Sequence, residues 1–217
     1  MAIETTGLRE TKKQETRQLI SEHATRLFIA RGYERTTIVE IADAARVAKK
    51  TVTNYFARKE DLALGDQEEF VGSLAEAVAT RSPGESVPAA LRRTFADAVA
   101  TRNPVVGFSR PELARVIADS PTLTTCLRGL HDQREQRLAQ ALAEAARVQP
   151  DDVAVETAAG LLSAVHRVLF ERVRALTLAG HSDDRIADTI GAEAVRAFEL
   201  LETGLAGWPY TRVQAPG

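Results

Sequence analysis

The sequence predicts an all-α protein of about nine helices. Three observations predict it. Apolar residues recur at spacings of three and four along nearly all of the 217 positions, the period of a helix buried on one face. Alternation of apolar and polar residues is short-lived and aromatics are only 5% of the chain, so no strand pattern competes. Helix start and stop signals bracket several of the periodic stretches: Pro111, Pro121 and Pro150 at or near helix starts, and a terminating Gly180 before an N-capping Ser182.

Taken in order, the first helix is expected over about 11–31, with Ile20, Ala24, Leu27 and Phe28 on one face and Gly32 ending it in a left-handed conformation. A second begins after Thr37. Thr37 and Glu40 make a capping box, and Ile38, Ile41, Ala42 and Ala45 follow at i, i+3, i+4 and i+7. The third, about 49–56, offers only Val52 and Phe56 for burial, so it is marginal alone and must be held by its neighbours. Packing those two inward leaves Lys49, Lys50, Thr53 and Asn54 outside. A longer helix over 59–80 carries Phe70, Leu74, Ala77 and Val78 on one face, and "RSPGESVP" (81–88) is a loop. Helical stretches follow at 88–102, 110–119, 122–147, 151–178 and 183–205, and the tail "GWPYTRVQAPG" reads as irregular.

Charge is distributed unevenly. Residues 1–62 hold 12 Lys+Arg against 9 Asp+Glu, the remainder 16 against 21, and all five lysines fall in the first 59 positions. A basic face at one end follows, although the whole chain carries a net charge of −2. Cys126 is the single cysteine, so no intrachain disulfide forms and a cytoplasmic protein is expected; the preference for Arg over Lys outside the first segment, with abundant Ala, points to a bacterial genome. Neither an export-signal core nor an apolar run near the ~20 residues of a bilayer span is read, so no membrane association is expected. Enzyme motifs are missing too: no Gly-rich phosphate loop, nucleophile elbow, HExxH or CxxC pair. His131 and Glu135 lie one turn apart without a third ligand nearby, so neither a metal site nor a cofactor is expected.

Two short helices joined by "ARV" and braced by a preceding helix make a helix-turn-helix, whose second helix can enter the DNA major groove. At this point a resemblance becomes specific. Residues 15–62, "ETRQLISEHATRLFIARGYERTTIVEIADAARVAKKTVTNYFARKEDL", resemble the DNA-binding segment of TetR-family transcriptional regulators. The Phe28, Gly32, Tyr33 and Thr37 pattern, "IVEIADAARVAKKTVTNYF", and Lys59, Glu60 and Leu62 carry it. The resemblance implies an N-terminal helix-turn-helix DNA-binding domain (1–60) and a C-terminal helical effector-binding and dimerisation domain (61–217). Lys49, Tyr55 and Lys59 are expected on phosphates, Thr37 to add a backbone contact beside its cap, and Lys50, Thr51, Thr53 and Asn54 on base edges. Arg9, Lys12 and Lys13 are expected to form a basic arm. The family often has Ser where Ala48 stands, Gly at Lys50 and an aromatic at Thr53; these departures bear on the target sequence.

Such proteins act as two-fold dimers on palindromic double-stranded DNA. The expected homodimer surface is 151–205: Val155, Leu161, Leu162, Val165, Val168, Leu169, Val173 and Leu176, then Ile186, Ile190, Val195, Phe198 and Leu201. The resemblance implies a small-molecule effector pocket between 88 and 178, for which Phe95, Phe108, Leu127, Leu130, His131, Leu162, His166 and Phe170 are candidates. The 59–80 helix is expected to transmit occupancy, hinged at 81–88. Two functions follow: a ligand-responsive repressor released by a small hydrophobic or amphipathic effector, or a helical ligand carrier or adaptor that keeps a regulator-like fold without binding DNA.

Overall fold

The structure is a computed structural model that describes the backbone of residues 3–204 and the side chains of 11–204. The tail 207–217 and the side chain of Arg9 lie outside the described residues. Among the described residues there are ten α-helices and no strand: α1 (Ile3–Arg31), α2 (Ile38–Ala44), α3 (Lys49–Tyr55), α4 (Asp61–Leu64), α5 (Gln67–Ala79), α6 (Val87–Ala100), α7 (Pro111–Asp119), α8 (Pro121–Ala146), α9 (Val153–Leu178) and α10 (Asp183–Gly204). A 3-10 turn at Pro104–Val106 links α6 and α7.

Two boundaries differ from the sequence reading. Helix α1 begins at Ile3, so the expected basic arm lies within a helix. The expected 59–80 helix is two elements, α4 and α5, separated where Gly65 takes φ +74, a value that ends the helical hydrogen-bond ladder. No single rigid transmitter therefore runs from Lys59 to Thr80.

The chain forms two compact units, and they do not follow a single cut near residue 60. The first runs to Asp66 and also takes in Glu112–Leu127; the second comprises Gln67–Pro111 and the described chain from Arg128 onward. In the first, α1 packs on α2 and α4, and α2 on α3, around Ile20, Phe28, Ile41, Val52 and Phe56. In the second, α10 packs on α6 and α9, burying Leu91, Phe95, Leu162, Ile190 and Phe198. Gly107 (φ +106) lets the 3-10 turn back onto α9, because a Cβ there would stand 2.7 Å from the Phe170 carbonyl oxygen.

Helix α9 qualifies one reading: by its length, and by a mean hydropathy of 1.4 over an 18-residue window, it meets the length and composition of a membrane-crossing helix. Its buried face, which includes Val155, Leu162, Leu169 and Val173, lies in the core of the second unit, so it has the character of a core helix. The same phase changes the expected dimer surface. Those four residues, with Ile186, Ile190, Phe198 and Leu201 of α10, are buried within the protomer. What remains exposed is Leu161 (47%), Val168 (67%) and Val195 (45%), together with Leu200 (77%) and Val153.

Candidate functional site

Helix α2 is held at its start by the expected capping box. The Thr37 hydroxyl accepts from the Glu40 N–H at 3.2 Å, and the Glu40 carboxylate accepts from the Thr37 N–H at 2.8 Å and from its hydroxyl at 2.9 Å. The Thr37 backbone N–H, then its hydroxyl, hold the Glu40 carboxyl below the ordinary carboxylate range. The helix ends with Arg46 at φ +54, where the Val47 N–H reaches the Ala42 carbonyl at 3.0 Å and the Arg46 N–H reaches Asp43 at 3.1 Å. This left-handed stop turns the chain sharply into α3.

In α3, Val52 and Phe56 are buried while Lys49, Lys50, Thr53 and Asn54 are exposed and Thr51 and Tyr55 half-buried. The expected division of that helix into two apolar plugs and a polar outer face is what the structure contains. The Thr53 hydroxyl donates to the Lys50 carbonyl at 3.1 Å, which restrains its rotamer while the side chain stays exposed. Ala48 caps α3 with no side-chain hydrogen bond. The far end is secured from α1: Arg17 Nη1 donates to the Tyr55 carbonyl at 3.2 Å, and its guanidinium lies 4.7 Å from the Phe56 ring centroid.

Lys59 has partners within the protein. Its Nζ donates to the carbonyls of Tyr33 (3.0 Å) and Thr36 (3.1 Å) and stands 3.9 Å from the Tyr33 ring centroid. A half-buried ammonium so engaged staples the turn ahead of α2. The same turn is tied down by Glu34, whose carboxylate accepts from Ser120 Oγ (2.7 Å) and Thr122 Oγ1 (3.2 Å), while Ser120 Oγ accepts the Leu123 N–H at 3.1 Å. The Ser120 bond is the main reason the Glu34 carboxyl lies below its ordinary range. Cys126 is half-buried, and burial, then the charge of Glu60, raises its thiol, which disfavours a reactive thiolate.

The expected pocket residues fall into several groups. Leu127 is buried in the first unit, whereas Phe95, Phe108, Leu130, His131, Leu162, His166 and Phe170 are buried in the second. Phe108 and Leu162 are part of the main hydrophobic core. The two histidines sit in separate aromatic triangles. His131 lies 5.1 Å from Phe70 and 5.0 Å from Phe170, ring centroid to ring centroid; His166 lies 5.5 Å from Phe95 and 5.3 Å from Phe198. Burial first, then Arg134, Arg167 and Arg174, push the His131 imidazole down to about 4, and burial pushes that of His166 well below the ordinary value. Both rings are neutral at pH 7.

Sequence reasoning missed Arg17, Glu34 and Ser120 around the helix-turn-helix, and Phe70, Arg134 and Ser163 around the histidines. For Arg134 a signal existed: it continues the series Leu123, Leu127, His131, Leu138 and Leu142 along the apolar stripe of α8, where a charged residue is out of place.

The family model for bacterial regulatory proteins of the tetR family matches residues 20–65, which include α2, its left-handed stop and α3. Over 152 residues the chain is 32% identical to the HTH-type transcriptional regulator TcmR of Streptomyces glaucescens, covering 67% of each protein. Its fold is like that of SmeT, solved as a complex with triclosan, with a TM-score of 0.54, 17% identity, and 88% of this chain and 91% of that one covered. A TetR-family regulator from Streptomyces coelicolor A3 gives a TM-score of 0.50 at 20% identity, covering 86% and 96%.

Proposed function

This chain belongs to the TetR family of transcriptional regulators, and on that premise we propose that it is a repressor which binds a palindromic operator as a homodimer and is released by a small-molecule effector. The observation that carries this reading is the exposure of Lys49, Lys50, Thr53 and Asn54 on a helix anchored by Val52 and Phe56. A helix of seven residues that spends so little of itself on a core has its outer face free for a duplex.

In the complex, Lys49 and the Tyr55 hydroxyl take phosphates, which give affinity and register. Lys50, Thr51, Thr53 and Asn54 face base edges: Lys suits guanine, Asn adenine, and a Thr methyl thymine. Thr37 and Lys59 serve in support, the first as a cap and the second as the staple of the preceding turn. Residues 1–60 carry the DNA-binding role, and 61–217 the effector and dimer roles. The dimer uses the exposed strip of α9 and α10, in which Leu161, Val168, Val195 and Leu200 remain uncovered by the protomer. Two-fold pairing sets the recognition helices one DNA turn apart, and an effector that prefers a different spacing by about 1–3 kcal/mol lowers operator affinity accordingly. The protein acts in the cytoplasm, where its DNA is.

The test is fluorescence anisotropy with the full chain and the inverted repeat upstream of its own gene, at several salt concentrations. Salt-dependent binding that prefers the repeat over scrambled duplex supports the reading. A folded dimer that shows no such preference sinks it, and a carrier or adaptor that does not bind DNA takes its place.

A further inference from the structure

The second unit contains a group of buried polar atoms that its own fold leaves unsatisfied. His131 Nε2, Arg134 Nε, Ser163 Oγ and both ring nitrogens of His166 have no hydrogen-bond partner. Arg134 is the informative member. It is 3% exposed, lies on the apolar stripe of α8, and makes no ion pair with a carboxylate among the described residues. The Phe70 ring, 4.6 Å from its guanidinium, compensates it only in part.

The surrounding charges sharpen the point. Arg167 is exposed and keeps its water; Arg174 pairs with Glu171 at 3.0 Å. Glu135 lines the same small cavity as His131, Arg134, Ser163 and Arg167, yet it forms no salt bridge with Arg134. A buried, charged guanidinium without a carboxylate costs several kcal/mol, and each orphaned donor beside it adds to the sum. One incoming group would relieve most of this. A carboxylate accepts bidentately from an Arg fork and has lone pairs left for a hydroxyl and an imidazole N–H.

We propose that the effector is an aromatic carboxylate, its anionic oxygens taken by Arg134, Ser163 and His131 and its ring received among Phe70, Phe170 and the neighbouring Phe95–His166–Phe198 cluster. This rests on the reading of the second unit as the effector domain and specifies the chemistry of that site. The aromatic part follows from the edge-to-ring packing of both histidines, since another ring can join such clusters in the same geometry. The cavity measures about 10 Å³, room for a single water molecule. Seating a ring therefore requires the side chains of α8 and α9 to part, and the effector selects that opened arrangement over the closed one.

The probes are 2-naphthoate and its uncharged isostere 2-naphthamide, titrated calorimetrically at pH 7.4 into the full chain and into Arg134→Met. Wild type should favour the acid by tenfold or more. The variant should lose that preference while its affinity for the amide stays within about twofold, and it should still bind operator DNA without being released by the acid. Equal affinities in wild type, or a preference that survives in Arg134→Met, overturn the proposal. If wild type binds operator but neither probe, the proposal is overturned while the regulator reading stands; if it binds no operator, the regulator reading has failed, so the two failures are separate. Should Arg134→Met not fold, the imidazole titration of His131 followed by NMR in wild type decides. The acid must raise its midpoint and the amide must not; no rise overturns the proposal.

Discussion

Two sets of polar side chains in this protein lack protein partners, and they differ in what surrounds them. Lys49, Lys50 and Asn54 stand in water on the outer face of α3; Arg134, His131 and His166 are enclosed between α8, α9 and aromatic rings. The first set costs the folded state little, because solvent satisfies it, and in the proposed complex a duplex takes the solvent's place. The second set weighs on the folded state continuously, since desolvation is borne at all times. A face of the first kind binds through complementarity, whereas a pocket of the second kind binds by relief of an existing penalty.

Four experiments test this contrast. The largest effect is expected from Phe56→Ala, which removes one of two plugs under α3 and costs about 3–5 kcal/mol in urea unfolding; a loss under 1 kcal/mol would mean α3 is held otherwise. Next is acid. Because the His131 and His166 imidazoles are depressed in the native state, the unfolded chain takes up protons that the folded chain refuses once the pH falls below about 6.5. Stability is then level above pH 6.5 and declines as the pH drops toward about 4, by roughly 1.4 kcal/mol per pH unit for a single such group at most. His131→Gln should flatten that slope in melts run from pH 8 to 4. Asn54→Ala should weaken operator binding by about 1–3 kcal/mol and relax preference at one base pair, with unfolding changed by less than about 0.5 kcal/mol. Lys49→Ala should weaken binding to all sequences alike and flatten the log–log salt slope by about 0.9; a change in sequence preference would move Lys49 from phosphate to base.

The sequence revealed what is local. The Thr37–Glu40 box, the inward Val52 and Phe56 and the outward lysines follow from spacings within one or two turns, and all are present in the structure. Contacts from distant parts of the chain left no such trace: Arg17 reaching the end of α3, or Ser120 reaching Glu34, depends on which helices meet. Helix α9 shows a different limit. It is apolar on both sides, so spacing alone could not tell that Val155, Leu162, Leu169 and Val173 face the protomer core while Leu161 and Val168 face outward. In α4 and α5 the helical period continues across Gly65, and the left-handed break there is invisible to a pattern of apolar residues.

The unit that contains the helix-turn-helix is discontinuous in the chain: Glu112–Leu127 belongs to it although some forty-five residues of the other unit intervene. Grafting this reader head onto another regulator by a single junction at residue 60 or 66 would leave Glu34 without Ser120 and Thr122, and the head without the buried Ala114 and Leu123. A working chimera needs three junctions, near residues 66, 111 and 127, with the α7–α8 corner transplanted together with the first four helices.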